Sequence, residues 1–506
     1  MNNFYITTPI YYVNDKPHIG HCYTSIACDI ISRYHKLIGD DVYFLTGTDE
    51  HGQKVEKAAQ NSSLDPMDFV DKMSKNFEEL IPFLGCEIND FIRTTESRHK
   101  KAAQSLWNKL NENDQIYLSN YEGWYSVRDE AFYSESELIK KDGNFVAPSG
   151  APVEWVKEES YFFKLSKWQD KLISFYEKNP DSISPKSRYN EVLSFIKGGL
   201  KDLSISRTTF KWGVPVPNNS DHIMYVWIDA LCNYLTSIGY PNINDNNFKK
   251  YWPGVHIVGK DILRFHAVYW PAFLMAADVL PPKKIFAHGW WTNEGKKISK
   301  SLGNVIDPYE IINQYGLDQI RFFLFREVPF GNDGDFSKKA ISLRINADLS
   351  NNYGNLVQRI AAFSVKNCES KIIVSQEYLD QDKIILKSME SKISEYLKLM
   401  NSVQIDRALK VVFELLSETN TYIDSEAPWK LKNSNYDRMN TVLFITINII
   451  KNCSIMLIPV IPKSSNKILD IFNIPLSNRN LIKINEIISD DIHIIDPVPV
   501  FPRIEL

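Results

Sequence analysis

His18-Ile19-Gly20-His21 stands between a β-rich run, Phe4 to Val13, and an amphipathic stretch carrying Ile26, Ile30, Tyr34 and Leu37 at helical spacing. Thr7, Thr8, Ile10, Tyr11 and Tyr12 favour a strand, so the motif is expected where a strand gives way to a helix. There the helix N-terminus offers unpaired N–H groups to an anion. The two imidazoles add donors, and Gly20 has no side chain to keep a flat adenine away. A second motif, Lys297-Ile298-Ser299-Lys300-Ser301, lies in a basic loop from Gly295 to Gly303. Two histidines and two lysines so placed can converge on one triphosphate, which points to an enzyme that activates a substrate with ATP.

The same alternation of strand and helix organises the rest of the first segment and returns later. Val42 to Leu45 runs into Thr46-Gly47-Thr48-Asp49-Glu50-His51-Gly52, Val255 to Val258 into Gly259-Lys260-Asp261, and Lys284 to Ala287 into His288-Gly289-Trp290-Trp291. A parallel sheet with crossover helices follows, its ligands gathering beyond the carboxyl ends of the strands, so that one site is built from both halves. The expected division is a first half over 1–114, an aromatic and acidic insertion over 115–224, a second half over 225–328, a turn-rich linker over 329–345 and a helical part over 346–506. In the last of these, Leu349, Tyr353, Leu356, Ile360 and Phe363, and later Ile405, Leu409, Val412 and Leu416, form stripes that want a bundle.

With 506 residues there is chain for about three domains. A net charge of −4 announces no global basic surplus, so any RNA surface must be local. The N-terminus enters a strand at once, without the basic and apolar segments of a signal peptide, and a cytoplasmic location is expected. Val442 to Ile450 is interrupted by Asn448 and reads as a buried helix rather than a membrane span. Six scattered cysteines with no C-x-x-C suggest reduced thiols and no structural zinc.

The two motifs resemble the HIGH and KMSKS signatures of class I aminoacyl-tRNA synthetases, with Ile298 at the usual methionine, a volume-conserving change that leaves both lysines in place. Within that class the chain is similar over essentially its whole length to the methionyl-tRNA synthetases. Thr8-Pro9-Ile10-Tyr11-Tyr12-Val13-Asn14, Thr48-Asp49-Glu50-His51-Gly52, Trp227-Ile228-Asp229-Ala230-Leu231 and His256 to His266 join the two signatures in family order. The resemblance implies an α/β fold: a Rossmann-like parallel-sheet catalytic domain interrupted by a connective domain, a stem-contact linker, and an all-α bundle that binds the anticodon. It implies methionine–tRNA ligase activity, in which methionine and ATP give methionyl-adenylate and pyrophosphate, and methionine then passes to the 3′ end of tRNA(Met), initiator tRNA included.

By this likeness, methionine is held by Ile10, Tyr12, Asp49, Trp227, Ala230, Tyr234, Ile262 and His266. Asp49 suits the α-ammonium, and Trp227, Tyr234 and the aliphatics offer a polarisable wall to a thioether. ATP is met by His18, Gly20, His21, Gly259, Asp261, Lys297, Ser299 and Lys300, with His18, His21, Lys297 and Lys300 as the catalytic set. Magnesium is expected to accompany ATP, though no protein cage for it is visible. Asn355, Arg359 and Trp429 match the family's anticodon readers, an amide and a guanidinium for base edges and an indole for stacking.

Where many relatives carry a zinc knuckle this chain has Ser126, Asp129, Val146 and Ser149, so a zinc-free member is expected, with no metal ligands to assign. The insertion is too short for the hydrolytic editing domain of the isoleucyl, leucyl and valyl enzymes. A cysteinyl-tRNA synthetase would need a thiolate-selective zinc site, and a non-catalytic tRNA-binding paralogue would have no use for the phosphate clamp. Gly47 to Gly52 has the spacing of a P-loop, but Gln53-Lys54 follow it, so that match fails. Without a further C-terminal dimerising domain, a monomer is expected.

Overall fold

A computed structural model describes residues 2–141, 143–297, 306–375, 377–495 and 497–505, the side chains of Lys296 and Lys297 excepted. The contacts divide the chain into two units. One comprises Asn3–Pro17 and Tyr43–His288, the other residues 1–2, His18–Val42 and Gly289–Leu506.

The first unit is built on a seven-stranded sheet. Its strands are β1 (Asn3–Thr7), β2 (Tyr11–Tyr12), β3 (Asp41–Asp49), β4 (Asp90–Arg93), β5 (Ile183–Ser184), β6 (Val255–Gly259) and β7 (Lys284–His288). They lie in the order β5-β7-β6-β1-β3-β2, with β4 also on β3. Pairing is parallel between β1 and β6, β6 and β7, β7 and β5, β2 and β3, and β3 and β4.

The run Phe4 to Val13 is therefore two strands and not one. Pro9 has no N–H for a ladder and breaks it, while Thr8 N donates to Leu45 O and Val13 N to Asp49 O, keeping both pieces against β3. β3 runs four residues past the apolar stretch, to Asp49. Its threonines are tolerated there because Thr46 meets Thr8 Oγ1 at 2.7 Å and Thr48 Oγ1 donates to Glu50 at 2.7 Å. β3, β6 and β7 end at Asp49, Gly259 and His288, each beside the polar tail read from the sequence.

The insertion has its own antiparallel sheet, whose longest pair joins Ile116–Ser126 to Glu154–Phe163. Near its tip Asp129 N donates to Ser126 Oγ, Tyr133 donates to Asp129, Ser149 Oγ bonds Asp129, and Arg128 reaches Ser149. These residues are thus satisfied by one another.

In the second unit the helix Ile19–Leu37 buries Ile26, Ile30 and Tyr34. Asp29 on its inner face is fully buried and meets Arg321 Nη2 at 2.6 Å. Arg321, itself fully buried, also donates to Val460 O at 2.8 Å and Pro459 O at 3.0 Å. Tyr34 donates to Asn401 Oδ1 at 2.9 Å, at the end of the helix Asp380–Asn401. Beside that helix stand Ile405–Glu426 and Tyr436–Leu457. Tyr436–Leu457 is longer than the apolar run predicted and is apolar enough to cross a membrane, yet its apolar window is entirely buried in the bundle, as a core helix requires.

Candidate active site

Asp49 closes β3 and is 6% exposed, and its Oδ1 has no hydrogen-bond partner among the described residues. A buried carboxylate in that condition costs free energy unless a cation or a proton satisfies it. Burial lifts its pKa well above the usual carboxylate range, and Glu130, Asp229 and Glu50 push it further. Tyr12 stands beside it, its hydroxyl donating to His51 O at 2.9 Å and bonding Glu130 Oε1. Gly52 has φ +104°, and a Cβ there would fall 2.6 Å from the Tyr12 hydroxyl, so the turn after Asp49 needs glycine both for its backbone and for its space.

The apolar wall comes from two further elements. Trp227 and Ala230 lie on the short helix Val226–Leu231, and Tyr234 follows on Asn233–Thr236. Trp227 stacks on Phe265 with centroids 3.8 Å apart and planes at 4°, and its Nε1 is another buried atom with no hydrogen-bond partner among the described residues. Ile10, Tyr12, Trp227 and Ile262 pack against one core cluster that contains Tyr234.

His266 sits in a π-helical turn, Phe265–Tyr269. Burial lowers its pKa to about 4, so the ring is neutral near pH 7. Its Nδ1 lies 2.9 Å from Ile262 O, a carbonyl that can only accept, so Nδ1 carries the proton and Nε2 accepts from the Tyr234 hydroxyl at 2.7 Å. The wall is therefore uncharged.

Four side chains in this unit, Asp229, His51, His99 and Glu130, were given no role by the sequence reading. Asp229, fully buried, is held at 2.7 Å by His51 Nδ1 and at 2.7 Å by His99 Nε2. Burial opposes its charge, but the two histidines outweigh that and hold its carboxyl below the usual range. Asp229 lies on the helix that carries Trp227 and Ala230, and His51 on the turn that follows Asp49, so the network ties two walls of the pocket together. Glu130, from the insertion, is the fourth. Burial raises its pKa to about 7, against the opposing pull of its Tyr12 hydrogen bond and the Lys54 ammonium. Gly259 and Asp261 occupy the end of β6 and the 3-10 turn after it, where a Cβ at 259 would lie 2.6 Å from Asp261 Oδ1.

In the other unit His18 is the N-cap of Ile19–Leu37. Its Nδ1 accepts from Gly20 N at 3.1 Å, and His18 N donates to His21 Nδ1 at 3.1 Å, a capping box made by two imidazoles. Both Nδ1 atoms accept, so in the neutral rings each proton sits on Nε2. Desolvation lowers both pKa values, most at His21, the less exposed ring, where His18 lying against it with centroids 3.9 Å apart adds a smaller push. The pair is a set of neutral donors at a helix N-terminus. A Cβ at Gly20 would meet His18 Cε1 at 2.9 Å.

Lys296–Lys297 pairs antiparallel with Trp291–Asn293, across a turn in which Glu294 and Gly295 have φ of 49° and 75°. Ser299, Lys300 and the side chain of Lys297 lie outside the described residues.

In the same unit Arg359 Cζ lies 5.7 Å over the ring of Trp429, which is 41% exposed. Arg359 donates to Asp424 Oδ1 at 2.8 Å and Asn420 Oδ1 at 3.1 Å, leaving its buried Nε without a hydrogen-bond partner among the described residues. Asn355, at the start of the same helix, is exposed.

Residues 4–361 match the family described as tRNA synthetases class I (M), and residues 374–487 the anticodon binding domain of methionyl tRNA ligase. The chain is 54% identical over 511 residues to a methionine–tRNA ligase of Rickettsia conorii, covering 100% of both chains. It is 49% identical over 503 residues to that of Brucella suis, covering 99% of this chain and 98% of the relative. Among solved structures it is similar to a Mycobacterium tuberculosis methionyl-tRNA synthetase in complex with methionyl-adenylate, with a TM-score of 0.97, 43% identity, and coverage of 99% of this chain and 100% of that one.

Proposed function

Because the chain belongs to the class I methionyl-tRNA synthetase family, as a methionine–tRNA ligase, we propose a division of that work among the residues just described. The observation that carries it is the buried Asp49 Oδ1 without a partner, bordered by an uncharged aromatic wall. Asp49 takes the α-ammonium of methionine. The thioether lies among Ile10, Tyr12, Trp227, Ala230, Tyr234, Ile262 and His266, where a neutral His266 rejects no apolar chain.

The methionine carboxylate attacks the α-phosphorus of ATP in line. An oxygen–phosphorus bond forms, the bond to the bridging oxygen breaks, and pyrophosphate leaves with the electron pair. Little covalent chemistry falls to the protein, whose part is positioning and charge stabilisation. The Nε2 protons of His18 and His21 and the ammoniums of Lys297 and Lys300 serve the phosphates, with Ser299 adding a hydroxyl. Gly20, Gly259 and Asp261 serve the adenosine, Asp261 as acceptor for a ribose hydroxyl. Magnesium, accompanying ATP, would neutralise charge on the triphosphate; among the described residues no group of three His, Cys, Asp or Glu side chains could hold it.

The adenylate then loses its methionyl group to the 3′-terminal ribose of tRNA(Met), elongator or initiator. Trp429 stacks an anticodon base, and Arg359 and Asn355 address base edges. We assign the catalytic work to 1–114 and 225–328, the connective role to 115–224, the stem contact to 329–345 and anticodon reading to 346–506, in a cytoplasmic monomer. Methionine-dependent exchange of pyrophosphate into ATP, without tRNA, tests the first half of this reading. Exchange supported equally well by cysteine or leucine defeats it.

A further inference from the structure

We propose that the insertion holds a pocket for one cytosine of the tRNA 3′ end, read by Glu158 and Arg207. This rests on the reading that the chain charges tRNA. A cavity of about 100 Å³ opens among Tyr125, Glu154, Val156, Glu158, Arg207 and Thr209. Glu154 and Thr209 are exposed at its mouth, while Glu158 and Arg207 are 8% and 3% exposed.

Each of the two buried groups is half used. Thr208 N and Oγ1 both donate to Glu158 Oε2 at 3.1 Å, and Oε1 has no hydrogen-bond partner among the described residues. Arg207 Nη1 donates to Ser204 Oγ at 2.9 Å and to Ser206 O, while Nε and Nη2 have no such partner. Arg207 Nε and Glu158 Oε1 are 3.7 Å apart, an ion pair too long to be a hydrogen bond. The guanidinium cannot swing to close the gap. Its Cζ is fixed over Phe132 at 4.1 Å, Tyr225 at 4.8 Å and Tyr125 at 5.3 Å.

What satisfies such a pair must donate to a carboxylate and accept from a guanidinium at adjacent atoms, and carry no net charge. Phosphate would face Glu154 and Glu158, and a cation would face Arg207. The amino and ring-acceptor edge of cytosine has the required order, since N4–H₂ donates to Glu and N3 or O2 accepts from Arg. Uracil in the same seat sets a carbonyl against the carboxylate. The cavity admits the edge of one ring, the body passing out through the mouth beside Glu154 and Thr209. The source lies in the substrate: unpaired cytosines precede the terminal adenosine of every tRNA. Gln53, which also lines the cavity, directly follows Gly52, the residue whose Cβ would strike Tyr12, so the pocket borders the methionine site.

The test uses the full chain and tRNA(Met) transcripts ending in CCA, CUA and UCA, with charging compared against tRNA-free pyrophosphate exchange. Wild type should charge CCA at least about tenfold better, in kcat/KM, than one of the uracil transcripts. Glu158→Gln should lower CCA charging about tenfold, shrink that preference to near one and leave exchange within twofold. Thr209→Trp, which plugs the exposed mouth without touching the buried pair, should also lower charging alone. The proposal is overturned if Glu158→Gln keeps the full preference for cytosine, if both variants charge CCA like wild type, or if exchange falls in step with charging. A wild-type chain that exchanges pyrophosphate but charges no transcript removes the tRNA premise and the pocket with it.

Discussion

Replacing Asp49 by asparagine should move affinity and stability in opposite directions. The substitution keeps the shape and removes the charge that we assign to the methionine ammonium. Removing one partner of a buried ion pair costs about 3 to 5 kcal/mol, which at about 1.4 kcal/mol per decade raises the methionine KM in pyrophosphate exchange from roughly a hundredfold to a few thousandfold. Without methionine the effect reverses. Asp49 has a folded-state pKa well above its ordinary value, so at pH above that raised value it costs stability in full, a cost that falls away as the pH drops from the raised value to the ordinary carboxylate value. Asparagine is neutral throughout, and the ligand-free variant should melt about 1 to 3 °C higher near pH 8. That advantage should shrink as the pH falls through the raised pKa and wild type itself becomes neutral. Wild-type affinity for methionine should weaken over the same descent, since the ammonium then competes with a proton. Asparagine with methionine KM within threefold of wild type, or with a lower Tm at pH 8, would refute the assignment.

Lys300→Ala should slow single-turnover adenylate formation about a hundredfold, or roughly 3 kcal/mol, and leave methionine affinity near wild type, because we assign its charge to the developing pyrophosphate. Trp429→Ala should raise the tRNA concentration needed for charging by the equivalent of about 1 to 3 kcal/mol. With the indole 41% exposed, Tm and tRNA-free exchange should hardly move, and a parallel loss of both activities would place it in the core instead. Elemental analysis should find no stoichiometric zinc, and activity should return when a chelated sample is given magnesium. The residues at the insertion tip already satisfy one another through Ser126, Asp129 and Ser149.

The strands of the catalytic sheet were legible where an apolar run ended in glycine and polar residues, as at Gly259 and His288. They were least legible where a single residue mattered. Pro9 split a run that looked continuous, and the buried threonines of β3 read as a polar tail beyond the strand, since the partner that lets Thr46 be buried, Thr8, lies 38 residues away. β4 and β5 are too short to show a period. The same reasoning separates the site residues. Asp49 could be named from the family likeness of the block Thr48 to Gly52, whereas Asp229 depends on His51 and His99, 178 and 130 residues away, and Glu130 on Tyr12, 118 residues away. A lone histidine in a helix such as Ser97–Glu112 carries no local sign of such a partner. The rival cysteinyl and non-catalytic readings give way to likeness over the full length of the methionine enzymes.

The helix that begins at His18 is rooted at Asp29, and that root has a mechanical consequence. Eleven residues of helix span about 16 Å, so Asp29, clamped by Arg321 to the backbone of Val460 and Pro459, acts as a fulcrum with the imidazole pair at the end of the arm. A tilt of about 2° at the fulcrum carries the imidazoles through roughly half an ångström, and reacting groups displaced by about 1 Å lose on the order of a hundredfold in rate. A change in how Val460 and Pro459 settle would therefore be amplified at His18 and His21, the end that we assign to the phosphates.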